Sequence, residues 1–444
     1  MKSKTMFRKT VILCLLLLLS IPAVAQKMNI QKLDSLFDLL AKNDRFMGSI
    51  ALTHEGNIIY QRAIGYDDLE HQKKSSTDSR YRVGSISKMF TSALIFKAVE
   101  DKLLDLDAPL ATYFPSIQNA KKITVGNLLN HRSGIFNITN DPSYGSWNTK
   151  PQSRKELLAR IVKGGSIFEP DSKADYSNSN YILLTFILED LHQKSFKTIV
   201  KEGITGPLGL QNTYVGSKID PDNNEAYSYR FDGKWTKQSE TDMSLPLGAG
   251  AMVSTPSDLL KFIEALFAEK IITKESLTKM TTLRDNFGMG IFQFPFNEKR
   301  ALGHTGGIDS FGSMLGYFKE DQLGIALTSN ATNYNNNDIV IGALSAFYNT
   351  PYTLPVFANI VFTSDELNPY LGIYASPDIP LKITITEKDN SLMAQATGQG
   401  AFPLEAQSKT VFEFKAAGVV MEFMPEKNEM VLKQGGGTFT FTKE

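Results

Sequence analysis

The chain has 444 residues, of which 42% are hydrophobic and 21% charged, and its 47 basic residues equal its 47 acidic residues. This composition excludes an intrinsically disordered protein, because the chain can bury a large core, and its length favours two domains. The sequence shows no basic excess or basic stripe of the kind that marks a nucleic-acid-binding protein.

The N-terminal segment, residues 1–25, predicts a secretory signal peptide. It has four positive charges, an apolar run at Val11–Leu19 and small residues at Ala23 and Ala25, after which cleavage is expected. The alternative, a membrane anchor, would need about 20 apolar residues, roughly twice the length of this run. Cys14, the only cysteine, lies inside the segment. We therefore expect an exported chain, periplasmic or secreted, with no thiol and no transmembrane segment.

A mixed pattern of helices and strands follows. Residues 30–42 have apolar residues at helical spacing, and alternation on both sides of Glu55-Gly56-Asn57 predicts a β-hairpin. Short aromatic and β-branched runs between residues 287 and 329 predict consecutive antiparallel strands. Further helices are predicted at residues 85–104, 153–163, 181–201, 256–270 and 338–348. Strands at both ends of a helix-rich middle imply an α+β fold with an antiparallel sheet flanked by helices.

A domain boundary is predicted after the helix at residues 338–348. The segment that follows contains three prolines and has no clear period. From Tyr370 onwards the chain alternates in short strands such as "LKITITEK" and "TFTFTKE", which predicts a small all-β domain. We therefore expect a first domain at residues 26–352 and a second at residues 366–444.

Ser85 and Lys88, in "YRVGSISKMFTSALIF", are the first candidate catalytic residues. A serine hydroxyl needs a base to become a nucleophile, and a lysine can serve where burial lowers its pKa. Three residues apart at the start of a helix, the two side chains share one face, and the apolar run would bury the amine. The alternative is an ordinary helix start, because Ser276 and Lys279 have the same spacing without the preceding glycine.

Tyr176 and Asn178, in "KADYSNSNYILLTF", are the second candidates. The phenol of Tyr176 can relay a proton or hold the lysine, and the amide of Asn178 can contact a substrate carbonyl or Lys88. The alternative is a capped helix in which these polar residues satisfy backbone donors. The two interpretations are compatible.

The stretch "RALGHTGGIDSFGSMLGYF" is the third candidate. Glycines surround His304 and Thr305 in what we predict to be an edge strand, where a substrate backbone could lie alongside. The backbone N–H of Gly307 could then join that of Ser85 in an oxyanion hole. The alternative is a glycine-rich hairpin with an exposed histidine.

The order Ser-x-x-Lys, Tyr-x-Asn, His-Thr-Gly resembles the serine β-lactamase and penicillin-binding-protein superfamily, and most closely the class C branch with its related esterases and D-amino-acid peptidases. Three further stretches resemble this branch: "ITVGNLLNHRSGI", "ITGPLGLQNTYV" and "LGAGAMVSTPSDLLKF". The resemblance covers residues 30–348. It implies an antiparallel sheet flanked by helices, with an all-helical lobe.

The resemblance also implies a function for each matching residue. Ser85 would be the acylated nucleophile, Lys88 its base partner and Tyr176 the proton relay. The implied substrate-binding residues are Asn178, His304, Thr305, Gly306 and Gly307, the last of which completes the oxyanion hole. His131 and Arg132 would be structural.

His304 departs from the pattern of typical β-lactamases, which have a lysine at this place. A lysine is charged at neutral pH and attracts the carboxylate of a β-lactam, whereas an unperturbed histidine, with a pKa of about 6.5, is mostly neutral. The sequence therefore predicts weak β-lactam hydrolysis.

We accordingly expect an exported serine hydrolase that forms an acyl-enzyme at Ser85 and cleaves an ester or amide, with a D-amino-acid or cell-wall-type peptide as its substrate. Two alternatives remain open: a true class C-type β-lactamase or D-alanyl carboxypeptidase, and a non-catalytic protein that binds wall fragments. No metal or organic cofactor is implied. The expected partner is a small-molecule or peptide substrate.

Overall fold

The computed structural model describes residues 28–357, 360 and 362–444. The predicted signal peptide at residues 1–25 lies outside these residues. Within the described part of the chain, no helix has both the length and the apolar character that a bilayer crossing requires.

The helices and strands follow one another in the order of a mixed α and β protein. The α-helices of the described residues are α1 (Ile30–Lys42), α2 (Ser87–Glu100), α3 (Val125–Leu129), α4 (Arg154–Gly164), α5 (Asn178–His192), α6 (Phe196–Val200), α7 (Pro256–Phe267), α8 (Lys274–Thr281), α9 (Asn336–Tyr348) and α10 (Ser364–Leu367). The strands are β1 (Phe46–His54), β2 (Asn57–Ile64), β3 (Tyr66–Asp68), β4 (Lys73–Lys74), β5 (Tyr81–Arg82), β6 (Tyr214–Val215), β7 (Tyr229–Phe231), β8 (Trp235–Lys237), β9 (Met252–Ser254), β10 (Phe292–Phe296), β11 (Lys299–Ile308), β12 (Phe311–Phe318), β13 (Leu323–Thr332), β14 (Gly372–Ala375), β15 (Lys382–Lys388), β16 (Ser391–Ala396), β17 (Phe402–Pro403), β18 (Glu405–Ala406), β19 (Val411–Phe414), β20 (Val419–Met424), β21 (Glu429–Gln434) and β22 (Gly437–Lys443).

The central sheet has six antiparallel strands in the order β10-β11-β12-β13-β1-β2. It joins strands from the two ends of the main region, since β1 pairs with β13 and places Ile50 opposite Leu327. Side chains of a strand alternate between the two faces of a sheet, so Ile50 packs with α1 and α9 while Ala51 packs with α2 and α7. The predicted α+β fold, a sheet flanked by helices, is confirmed.

Helices α2 and α5 lie in the interior. Both are apolar around their circumference, as expected of helices covered on all sides. Phe90 of α2 stacks on Phe262 of α7 with ring centroids 3.8 Å apart. Water is therefore excluded from the first turns of α2, where Lys88 lies.

Two predicted helices differ from the structure where the backbone is left-handed. The α-helix predicted from Ser85 begins at Ser87, because residues Gly84–Ile86 form a 3₁₀ turn in which Gly84 has a left-handed φ of +48°. The helix predicted at residues 181–201 is instead two helices, α5 and α6. The break follows Gln193, which is left-handed with φ of 51° and ends α5.

The C-terminal region is all β apart from a short helix and single 3₁₀ turns, as predicted. Its nine antiparallel strands have the order β17-β16-β15-β14-β22-β21-β20-β19-β18 and enclose a hydrophobic cluster of their own. Glu405 of this sheet forms an ion pair with Arg45 of the main region and accepts a hydrogen bond from Asn333. The domain boundaries at 26–352 and 366–444 stay a prediction.

Strand β11 lies directly against the turn that precedes α2. A Cβ atom on Gly84 would stand 2.8 Å from the backbone nitrogen of Gly307, and one on Gly306 would stand 2.0 Å from the carbonyl oxygen of Val83. Real Cβ atoms do not approach other heavy atoms this closely. Glycine at positions 84 and 306 therefore lets the two backbones come together.

We expect Gly84→Ala to destabilise the fold by about 2–5 kcal/mol, because it adds a collision with β11 to the strain of a left-handed alanine. Gly56→Ala is the matched control, since Gly56 is also left-handed but has open space where the Cβ would lie. It should cost only about 1–2 kcal/mol. Urea unfolding of the two variants measures the difference. Equal losses would contradict the close contact between Gly84 and β11.

Candidate active site

The three predicted catalytic side chains, those of Ser85, Lys88 and Tyr176, lie together. The hydroxyl oxygen of Ser85 lies 3.0 Å from Nζ of Lys88. It also accepts a hydrogen bond of 2.7 Å from the phenol of Tyr176. The fold thus brings Tyr176, two residues before the start of α5, to the turn that precedes α2.

Lys88 is fully buried, with 0% of its surface exposed. Its Nζ lies 2.7 Å from the side-chain oxygen of Asn178 and 2.7 Å from the backbone carbonyl of Ala249. None of its three hydrogen-bonding neighbours carries a charge. Burial lowers the pKa of the Lys88 amine well below its ordinary value of 10.5, which favours the neutral amine.

The contacts of Lys88 orient the neutral amine. An uncharged amine has two N–H groups and one lone pair. The carbonyl oxygens of Asn178 and Ala249 can only accept, so they take the two N–H groups. The remaining neighbour, the hydroxyl of Ser85, is the one that can donate a proton to the lone pair. The arrangement can therefore move the hydroxyl proton of Ser85 to Lys88.

Tyr176 is held as a protonated phenol. Burial raises the pKa of its hydroxyl above the ordinary value of 10. Its ring packs against the ring of His131 at a centroid distance of 4.4 Å, and Nζ of Lys88 lies 4.8 Å from the centre of the Tyr176 ring. A protonated phenol in this place donates to the oxygen of Ser85.

His304 lies near Tyr176 and Phe292. Its ring is buried, 4.4 Å from the ring of Phe292 and 6.4 Å from that of Tyr176. Nδ1 donates to the carbonyl oxygen of Thr305 at 2.5 Å, since that oxygen can only accept. Burial, together with the nearby Lys88, lowers the pKa of His304 to about 3, so the ring is uncharged at neutral pH.

A cavity of about 450 Å³ opens beside Ser85. Among the predicted substrate-binding residues, Asn178 and Gly307 line it. His304 lies outside this lining, as do Thr305, which is exposed, and Gly306, which lies against Val83. The other lining residues are Thr139, Tyr144, Asn148, Ile182, Thr241, Leu245, Pro246, Ala249, Gly250, Ile308, Asp309 and Phe311.

The edge-strand prediction for the stretch around His304 needs a correction. The edge of the sheet is β10, and β11 is its neighbour. However, the ladder between β10 and β11 stops where Phe292 pairs with Gly303. Residues 304–308 therefore continue past β10, and this stretch reaches the turn that carries Ser85.

Several residues at the site were not identified from the sequence. Tyr144 lines the cavity, whereas Trp147, three residues later, is buried beneath Arg160. Thr241 and Asp309 are single polar residues in connecting segments and have no motif. The one usable signal for Asp309 is its position two residues after the His-Thr-Gly-Gly stretch.

His131 and Arg132 have structural contacts. His131 is buried and accepts a hydrogen bond of 3.2 Å from the backbone N–H of Ser177, next to Tyr176. Arg132 forms ion pairs with Asp171 and Asp285. In the described residues, no group of three or more histidine, cysteine or acidic side chains is arranged to hold a metal ion.

Comparison with known proteins identifies the family. The family model described as Beta-lactamase matches residues 33–347. Among curated proteins, penicillin-binding protein 4* of Bacillus subtilis (strain 168) is 25% identical over 431 residues, which cover 88% of this chain and 93% of the relative. Teichoic acid D-alanine hydrolase of Staphylococcus aureus (strain MRSA252) is 24% identical over 313 residues, covering 68% of this chain and 75% of the relative.

Among solved structures, the D-amino acid amidase from Ochrobactrum anthropi SV3, complexed with D-phenylalanine, is 26% identical with a TM-score of 0.65. The alignment covers 72% of this chain and 98% of the amidase. Since the family model matches more than half of the chain, and its relatives include hydrolases of this superfamily, the protein is a serine hydrolase that belongs to the β-lactamase family.

Proposed function

We propose that the protein forms an acyl-enzyme at Ser85 and hydrolyses an ester or amide of a D-amino acid. The observation that carries the proposal is the hydrogen-bonded set of Ser85, Lys88 and Tyr176 at the wall of a cavity. Similarity to a D-alanine hydrolase and to a D-amino acid amidase supports the substrate class.

Acylation would begin with proton transfer from Ser85 to the lone pair of Lys88. The serine oxygen then attacks the substrate carbonyl carbon, whose oxygen becomes negative and faces the backbone N–H groups of Ser85 and Gly307. The proton held by Lys88 passes to the departing alcohol or amine, with the phenol of Tyr176 as relay. In deacylation, water attacks the acyl carbon and gives its proton to Lys88. The bond to the Ser85 oxygen then breaks, that oxygen takes up the proton, and the acid is released.

Asn178 acts in this proposal mainly by holding Lys88. Its side-chain oxygen receives an N–H of Lys88, and its amide nitrogen donates to the hydroxyl of Thr139 at 3.1 Å. The predicted contact between Asn178 and a substrate amide would have to use the same side-chain oxygen and nitrogen atoms. Asn178 therefore fixes the direction of the Lys88 lone pair.

The charges at the cavity support a D-amino acid substrate over a β-lactam. Among the described residues, the lining contains no arginine, lysine or histidine, and its one charged side chain is Asp309. Burial lowers the pKa of the nearby Lys88 well below its ordinary value, which favours the neutral amine, and lowers the pKa of His304 to about 3, so that ring is uncharged at neutral pH. A β-lactam carboxylate would find no cationic partner in this lining.

Export also belongs to the proposal. Residues 1–25 have the charge, apolar run and small residues of a cleavable signal. One relative, teichoic acid D-alanine hydrolase, is named for a component of the cell envelope. A periplasmic or secreted enzyme would meet substrates of that kind.

The nucleophile can be tested with a fluorophosphonate, which labels activated serines. We expect the wild type to be labelled and Ser85→Ala to be unlabelled, because the attacking oxygen is gone. Ser276→Ala is the matched control: Ser276 also precedes a lysine by three residues, but it lies on the short helix α8. Label retained in Ser85→Ala would refute the assignment.

The pH dependence of kcat/KM for a neutral nitrophenyl ester tests the base. Protonated Lys88 cannot accept the serine proton, so the rate should rise with pH through the lowered pKa of Lys88 and then level off. The pKa of His304, about 3, lies too low to produce this limb. In His304→Gln the midpoint should therefore stay in place. A midpoint that disappears in this variant would assign the limb to His304 instead.

A substrate panel tests the substrate class. We expect kcat/KM for a D-alanyl nitrophenyl ester to exceed that for a chromogenic cephalosporin by about 100-fold or more, equivalent to about 2.7 kcal/mol. The L-alanyl ester is the stereochemical control. Fast cephalosporin turnover would favour a true β-lactamase, and binding of wall fragments without any turnover would favour the non-catalytic alternative.

A further inference from the structure

We propose that Arg82 and Asp309 are positioning residues that hold the oxyanion-binding N–H groups of Ser85 and Gly307 in place, an inference that rests on the proposed acyl transfer at Ser85. Arg82 lies three residues before Ser85, and Asp309 lies two residues after Gly307. A bond between Arg82 and Asp309 therefore joins the two segments that carry the donors.

Arg82 forms hydrogen bonds to three other segments of the chain. Its Nη1 donates to the carboxylate of Asp309 at 3.0 Å and to the carbonyl oxygen of Thr241 at 2.9 Å. Its Nη2 donates to the carboxylate of Glu240 and to the carbonyl oxygen of Ser217, both at 2.9 Å. Only 2% of the Arg82 side chain and 4% of the Asp309 side chain are exposed. Water therefore screens this pair little.

Asp309 fixes the tip of the β11–β12 hairpin. Its backbone is left-handed, with φ of 54°, and the residue as a whole is exposed while its carboxylate is turned inward. The second carboxylate oxygen accepts hydrogen bonds from the backbone N–H of Thr241 at 3.0 Å and from its hydroxyl at 2.7 Å. Asp309 thus ties the hairpin tip to Thr241 as well as to Arg82.

The tip of the β11–β12 hairpin has a paired strand, β12, on one side only, so a further contact is needed to fix its position. Strand β10 ends its pairing at Gly303, whereas β12 pairs with β11 as far as Ile308 and Phe311. Gly307 lies in this stretch. An oxyanion hole works only if its donors are held in position before the charge develops, within about 0.5 Å. The Arg82–Asp309 bond supplies a further constraint on this stretch.

Two other functions for Asp309 have to be distinguished from positioning. Both of its oxygens already accept hydrogen bonds, so it is not a free carboxylate for a substrate ammonium group. A purely structural ion pair would change the stability of the fold and leave the rate of the chemical step unchanged. Kinetics can separate this second possibility from positioning.

Asp309→Asn is the sharpest test. Asparagine also tolerates a left-handed backbone and keeps an oxygen for Thr241, but it places an N–H group against Nη1 of Arg82. We expect kcat for a D-alanyl ester to fall about 10- to 100-fold, with KM changed less than about threefold. The affinity for an arylboronic acid, which forms a tetrahedral anion on an activated serine, should fall by a similar factor.

Asp321→Asn is the matched control. Asp321 pairs with Lys299 at the opposite end of β11, at 2.8 Å. Its loss should lower the melting temperature and leave kcat and boronic acid affinity unchanged. Unchanged kcat and boronic acid affinity in Asp309→Asn would overturn the inference even if its melting temperature fell. A rise in KM at constant kcat would overturn it as well.

A second variant covers the case in which Asp309→Asn does not fold. Thr241→Val removes the hydroxyl that donates to Asp309 but keeps the backbone N–H, and kcat should fall about three- to tenfold. Unchanged kcat in this variant would then refute the inference. Fluorophosphonate labelling of the wild type keeps the two proposals apart: an unlabelled Ser85 contradicts the proposed function itself, whereas a labelled wild type with unimpaired variants contradicts only the positioning inference.

Discussion

The burial of one amine without a charged partner is the constraint on which the rest of the site depends. Lys88 is enclosed by α2, α5 and the segment around Ala249, and its neighbours are a hydroxyl, an amide oxygen and a carbonyl oxygen. Burying a charged ammonium in such surroundings costs far more than burying a neutral amine. The core therefore selects the protonation state that a base requires, and the apolar residues of α2 have a chemical as well as a structural effect.

A second constraint is the close approach of two backbones. Gly84 and Gly306 have no side chains, which allows β11 to lie against the turn that carries Ser85. The same contact brings Gly307 to the wall of the cavity. The packing of β11 against this turn thus also positions the backbone groups that would stabilise negative charge. A substitution at Gly84 or Gly306 would therefore disturb both the packing and the position of these groups.

Much of this could be predicted from the sequence. The α+β class, the hairpin around Gly56, the C-terminal β region and the pairing of Ser85 with Lys88 all rest on local signals: periodicity, turn residues and spacing along one helix. The start of α2 was placed two residues early, because a glycine that adopts a left-handed conformation is indistinguishable in sequence from one that does not. The substrate contact of His304 stays a prediction: its buried ring lies 6.4 Å from that of Tyr176 and outside the cavity lining, a position that depends on which face of β11 meets the core.

The sequence by itself therefore determined the chemical groups that are available and their order along the chain, since these follow from residue type and from periodicities of a few residues. Tertiary structure alone decided which of them meet. Burial by residues distant in sequence lowers the pKa of Lys88, and Arg82 reaches Asp309 because β5 and the β11–β12 hairpin converge. Contacts between residues more than 200 positions apart depend on the packing of the whole sheet, and no short stretch of sequence encodes them.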